Sequence, residues 1–160
     1  MKHSIGFLLF IVSLSFNLSL VSCKKKCKVD ELAKDNGAII ENVTIIPSSG
    51  SLTGNMGTDF LIDATHQHAN AFQIRFGDSA RVNVDYSKYC ILANPMRVKC
   101  NVALDREVLI DDVNQKVTYS VKATQCSDCT SESYIENYVL VPAFPSNYTL
   151  ELDTLIINKN

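Results

Sequence analysis

Apolar residues recur at every second position through most of this chain, in short runs separated by turn-forming residues. Phe72, Ile74 and Phe76 alternate with Gln73 and Arg75, which places the apolar set on one face of a strand. Gly77-Asp78 reads as a turn, and Val82, Val84 and Tyr86 then alternate with Asn83 and Asp85. The two runs together predict a hairpin. Val98, Cys100, Val102 and Leu104 keep the period of two, as do Val108 with Ile110 and Val117, Tyr119 and Val121. Tyr138 to Val141, then Tyr148, Leu150 and Leu152, complete the series. Upstream, Ile39-Ile40 and Val43 to Ile46 form a β-branched run ended by Pro47, and a short strand is predicted over Phe60–Asp63. Ser48 to Ser51 and Thr53 to Asn55 read as loop. Helix formers from Val29 to Asn36, followed by Gly37, predict one short helical turn.

Strands with turn signals every dozen residues or so predict an antiparallel β-sandwich or barrel. A parallel α/β sheet needs crossover helices, and no helical pattern of that length is present. Neither an internal repeat nor a low-complexity linker interrupts the run.

The amino end differs in kind. Lys2 and His3 precede an apolar stretch from Ile5 to Val21 that stops at Ser22-Cys23 and Lys24-Lys25-Lys26. A basic start, a short apolar core and small residues at a polar boundary predict a secretory signal peptide over residues 1–22. A single domain then occupies residues 23–160. The core is short for a transmembrane span, and no second long apolar segment follows, so no span is expected in the mature chain. Removing the leader takes away Lys2 alone among the formal charges, leaving 14 basic against 17 acidic residues. So mild a balance, without a basic stripe, argues against a nucleic-acid partner.

Export changes the meaning of the six cysteines, Cys23, Cys27, Cys90, Cys100, Cys126 and Cys129. In an oxidising compartment they are disulfide candidates. Cys90 with Cys100 is the simplest local pair; Cys27 with Cys126 or with Cys129 would tie the amino end to the late strands. The place of Cys23 is open. Cleavage after Ser22 retains it, cleavage after Cys23 removes it, and Leu20-Val21-Ser22-Cys23 also reads as a bacterial lipobox in which Cys23 carries lipid. Asn42-Val43-Thr44 and Asn147-Tyr148-Thr149 are N-glycosylation sequons, which favour a eukaryotic secretory route and a secreted, extracellular or endolysosomal location.

Candidate chemistry is sparse. On a strand, His66-Gln67-His68 would put two imidazoles on one face, but a zinc site needs further donors and none lies nearby in sequence. A solvated loop after the strand Phe60–Asp63 is therefore expected. Cys126-Ser127-Asp128-Cys129 is a CxxC without a second CxxC to complete a thiolate site, so a structural disulfide role is expected. Asp105, Glu107, Asp111 and Asp112 are acidic clusters that suit solvated turns and strand edges. With no G-x-S-x-G elbow, H-E-x-x-H pair or P-loop, no catalytic residue, metal or cofactor is expected, and the chain reads as a non-enzyme.

Several segments, taken in order, resemble the ML (lipid-recognition) family, in particular its GM2-activator-like members. Cys27, then Ile39 to Pro47, then Gly50 or Gly54, is similar to the family's opening strand, proline and glycine-bearing loop. Cys126-Ser127-Asp128-Cys129, Tyr134 and Tyr138 to Glu151 resemble its cysteine pair, following strand, proline turn and late strand. Cys90 and Cys100 fall where the family has mid-chain cysteines. The resemblance implies an all-β, Ig-like antiparallel β-sandwich, disulfide-stabilised, whose two sheets part to hold a lipid or other apolar small molecule. Phe60, Ile62, Phe72, Ile74, Phe76, Val82, Val84 and Tyr86 are then the cavity candidates. The same residues suit a closed core, as the inner faces of ordinary sandwiches do, and periodicity does not separate the two. The sequence departs from the family in having no cysteine-bearing strand at its end. An open sheet edge is the consequence, and it favours the rival expectation of an Ig-like extracellular module that binds a protein or glycan through its surface.

Overall fold

The computed structural model describes residues 27, 29, 34–48, 60–99, 102–128 and 130–159. The leader, Cys23, Cys100, Cys129 and the 49–55 loop lie outside them. The described chain is an all-β sandwich in which six of the eight strand pairings are antiparallel.

One outer sheet contains β1 (Lys34–Gly37), β8 (Val102–Asp111), β9 (Lys116–Cys126) and β12 (Thr149–Lys159), in the order β1-β8-β9-β12. Its spine is the long β8–β9 hairpin, closed by a turn in which the Asp111 carboxylate accepts the Val113 and Asn114 amides, each at 3.0 Å. β1 and β12 join this hairpin in parallel, one on each side. A second sheet is formed by β3 (Leu61–Ile62), β6 (Tyr89–Ala93) and β11 (Tyr138–Pro142), with β6 in the middle. A third contains β2 (Val43–Pro47), β4 (Phe72–Phe76) and β5 (Val82–Asn83). A ribbon of β7 (Met96–Lys99) and β10 (Glu132–Ile135) completes the fold.

The β3–β6–β11 sheet is buried on both faces. Leu92, Val139 and Val141 pack with Val108, Val117, Tyr119 and Val121 of the long sheet. Ile62, Ile91 and Leu140, one residue out of phase, pack instead with Phe72, Ile74 and Val84. Neighbours on a strand point to opposite faces, so one sheet feeds two separate cores. Full burial of each such aliphatic side chain is worth about 1.5–3 kcal/mol. The Cys27–Cys126 disulfide spans 99 residues and closes a loop that contains β1 to β9, with β10, β11 and β12 following it. Bonds of this kind typically contribute about 2–4 kcal/mol.

Several expectations need correction. Instead of ending a helical turn, Lys34–Gly37 is a strand paired with Asp105 to Val108. Gly37 has φ +72°, and a Cβ there would collide with the Val108 carbonyl oxygen, so only glycine lets the chain leave this sheet for the next. The period-two run from Val98 to Leu104 is two strands in two sheets, because β7 joins the ribbon and β8 the long sheet. The 72–86 hairpin exists, with Ile74 opposite Val82, but only Val82–Asn83 pair. Gly77-Asp78 is the expected turn, with the Ser79 amide donating to the Phe76 carbonyl at 3.0 Å, and residues 79–81 lead from it to β5.

Candidate functional site

Polar side chains inside the sandwich bridge its layers. Asp35 and Arg106 face each other across the β1–β8 pair on the inward side. Arg106 donates through Nε and Nη2 to the two Asp35 carboxylate oxygens at 2.6 and 2.7 Å. Its Nη1 donates to Asn137 Oδ1 at 3.1 Å and to the Tyr138 carbonyl at 3.2 Å. Asn137 Nδ2 in turn donates to the Tyr119 hydroxyl at 2.8 Å. Asn94 Nδ2 donates to Thr154 Oγ1 at 2.9 Å. Gln125 accepts the Lys99 amide at 2.7 Å and donates to Asn158 at 2.9 Å. Asn94, Gln125 and Asn137 are thus bridges between layers, and Arg106 is held by a bidentate carboxylate and two further acceptors. Groups so occupied fix the packing and leave little for a ligand. Burial pushes the Tyr119 phenol above its ordinary range. Burial, with Glu136 close by, does the same to Tyr138.

The cavity candidates divide. Ile62, Phe72, Ile74 and Val84 belong to one buried cluster with Ile91, Ala93 and Leu140. The Phe72 ring meets Tyr138 edge-on at 5.3 Å. Tyr86 packs against this cluster and donates its hydroxyl to the Ala69 carbonyl at 2.8 Å. Phe60 is half-buried beside β3. Phe76 and Val82 share the face of Phe72 and Ile74 but both are exposed, Phe76 with its ring 6.3 Å from that of Tyr89.

The remaining candidates are placed as follows. His66 and His68 lie on a turn after β3, where His66 Nδ1 accepts the His68 amide at 3.1 Å. Asp63 accepts the Thr65 amide and hydroxyl at 2.8 and 2.7 Å, and the Thr65 hydroxyl bond in particular keeps its carboxyl below the usual range. Among the described residues, the ligand atoms that converge closely enough for a metal are those of Cys27, Cys126 and Asp128, and both sulfurs are joined in the disulfide. The Cys90–Cys100 pairing is not formed. Cys90 is a free, buried thiol on the central strand, and burial pushes its pKa up to about 12. Asp105 pairs with Lys122, and Asp112 accepts the Tyr148 hydroxyl at 2.8 Å. Asn42 and Asn147 are both exposed, although Asn147 Nδ2 donates to Gln115 at 3.0 Å.

Open depressions lie at the surface. One of about 260 Å³ is bordered by Asp35, Glu136 and Tyr138 with the aliphatic walls of Ile39, Ile40 and Val43. Another, of about 190 Å³, lies among Leu61, Tyr86, Phe144 and Tyr148. Both fall below the ~300–1,000 Å³ of ordinary small-molecule pockets. A groove of about 440 Å³ runs along the ribbon beside Arg97, Glu132, Ser133 and Tyr134. Here Tyr134 stands directly opposite Arg97, and Glu132 opposite Lys99. Tyr134 and Arg97 are both exposed. An exposed tyrosine beside an exposed arginine is the composition found where binding energy concentrates in protein interfaces. Sequence reasoning did not single out this pair, because only the β7–β10 register brings its members together.

Comparison with models of known families, with curated proteins and with solved structures finds no match for this chain. Among the described residues no helix is long and apolar enough to cross a membrane.

Proposed function

We propose that this protein is an exported, disulfide-stapled binding module that recognises a protein or glycan through its surface, and that it is neither a carrier of lipid between its sheets nor an enzyme. The packing of the central sheet carries this reading. Ile91, Leu92, Ala93 and Leu140 have no solvent exposure, and the core residues expected to line a cavity fill the space against them. Asp35, Arg106, Asn137, Asn94 and Gln125 are likewise engaged with protein partners, which favours recognition by exposed side chains. The Arg97–Tyr134 ribbon is the favoured contact surface, and the disulfide suits an oxidising compartment.

The test is saturable binding to a panel of immobilised glycans and secreted proteins, repeated with a folded Tyr134→Ala/Arg97→Ala variant. A weakening of at least about tenfold is expected, the scale of an interface hot spot. Undiminished binding by the variant overturns the ribbon assignment. Stoichiometric lipid uptake restores the lipid-recognition reading.

A further inference from the structure

The last strand has an open side. β12 pairs with β9 over its whole length, and among the described residues no strand occupies its other edge. The Thr149 amide donates to Gln115 at 2.8 Å, and the Lys159 carbonyl accepts from Ser127 at 2.9 Å, both toward β9. Backbone groups alternate in direction along a strand, so the odd-numbered residues bond to β9. Thr154, Ile156 and Asn158 therefore turn their N–H and C=O groups to the free edge. Between them Leu155 is 54% and Ile156 42% exposed. An unprotected apolar edge without proline is a template for another strand.

Charge along the strand selects the occupant. From this the geometry points to a second copy of the same chain, its β12 pairing antiparallel with the first about a two-fold axis at Ile156. In that register Leu155 lies opposite Ile157, and Asp153 lies opposite Lys159, each twice by symmetry. No carboxylate meets another. A register centred three residues earlier would set Asp153 against Asp153, which is unfavourable. Glu151, by contrast, is already bonded to Lys116 at 2.6 Å. About six inter-strand hydrogen bonds form from the outward-facing groups, and two four-stranded sheets become one of eight. This inference stands independently of the surface that binds other molecules.

Sedimentation of the mature protein over a range of concentrations is expected to show a monomer–dimer equilibrium. Asp153→Lys and Lys159→Asp should each raise the dimer dissociation constant about tenfold, because both symmetric contacts become repulsive. The D153K/K159D double variant should return to within about threefold of the parent, since the swapped charges again oppose each other. Ile156→Lys should be monomeric, whereas Leu109→Lys, two strands from the edge, should dimerise normally. Circular dichroism and thermal melting confirm that each variant is folded. A protein that is monomeric at every concentration overturns the inference. So does a dimer untouched by Ile156→Lys, or a double variant no better than either single one.

Discussion

Phe72 and Phe76 offer a direct contrast, because they share one strand face and differ in what covers them. Phe72 is 1% exposed and lies in the core between β4 and the central sheet, edge-on to Tyr138. Phe76 is 37% exposed, with its ring centre 6.3 Å from that of Tyr89. Replacing a fully buried phenylalanine by alanine costs about 3–5 kcal/mol, part of it the cavity left behind. The Phe72–Tyr138 ring pair places the cost in the upper half of that range. Phe76→Ala, with little cavity to create, should cost below about 1.5 kcal/mol. Against a total stability of about 5–15 kcal/mol for an ordinary domain, the first change is severe and the second mild. Urea unfolding followed by far-UV circular dichroism or tyrosine fluorescence suits a chain that lacks tryptophan. With a slope of about 2 kcal/mol per molar urea, Phe72→Ala should lower the midpoint by roughly 2 M at unchanged slope. A loss below about 1 kcal/mol for Phe72→Ala, or equal losses for the two variants, would mean that the space around Phe72 is not a packed core.

Other outcomes follow from the polar interior. The Arg106 and Asp35 side chains are 16% and 25% exposed. Asp35→Ala should therefore cost about 2–4 kcal/mol, somewhat less than for full burial, by leaving the guanidinium unpaired. Replacing both by leucine and methionine should recover at least half of that loss, as read from a double-mutant unfolding cycle. Burial raises the Tyr119 and Tyr138 phenols, and takes the Cys90 thiol and the Tyr86 phenol up to about 12. The folded chain thus holds protons that the unfolded chain releases from about pH 9 upward, so stability should fall as pH rises from 9 to 12. A flat urea midpoint across that window would contradict the placement of these groups. Peptide mapping after brief alkylation at pH 8 should find Cys90 unmodified in the native protein and labelled only once it is unfolded. Rapid native labelling would put the thiol outside the core.

What the sequence revealed depended on whether a strand has one wet face. β4, β9 and the first part of β12, to Leu152, alternate because water lies on one side of each, and these were legible. Residues 153–159 of β12 lose the alternation and were not read as strand. Cys90-Ile91-Leu92-Ala93 does not alternate, since both faces of β6 are buried, and a continuous apolar run carries no period. The polar segment Lys34–Gly37 carries no hydrophobic signal at all. It is a strand because β8 supplies its ladder and Arg106 holds Asp35. Parallel pairing of β1 and β12 is a long-range choice that local residues do not encode. The Cys27–Cys126 bond was one of two pairings open for Cys27, whereas the neighbourhood of Cys90 in space, unlike its spacing in sequence, offers no bonded partner. The candidate contact pair was hidden for a similar reason. An exposed tyrosine and an arginine far from it in sequence become neighbours only through the β7–β10 register.

The proposal that the interior is closed and the surface does the recognising meets its most direct test in native mass spectrometry. The mature protein would be incubated with mixed phospholipid and glycolipid vesicles, separated from them without detergent, and sprayed intact. The bare mass of the covalent protein is expected. A discrete, stoichiometric added mass that leaves on denaturation and fragments as a lipid would contradict the proposal.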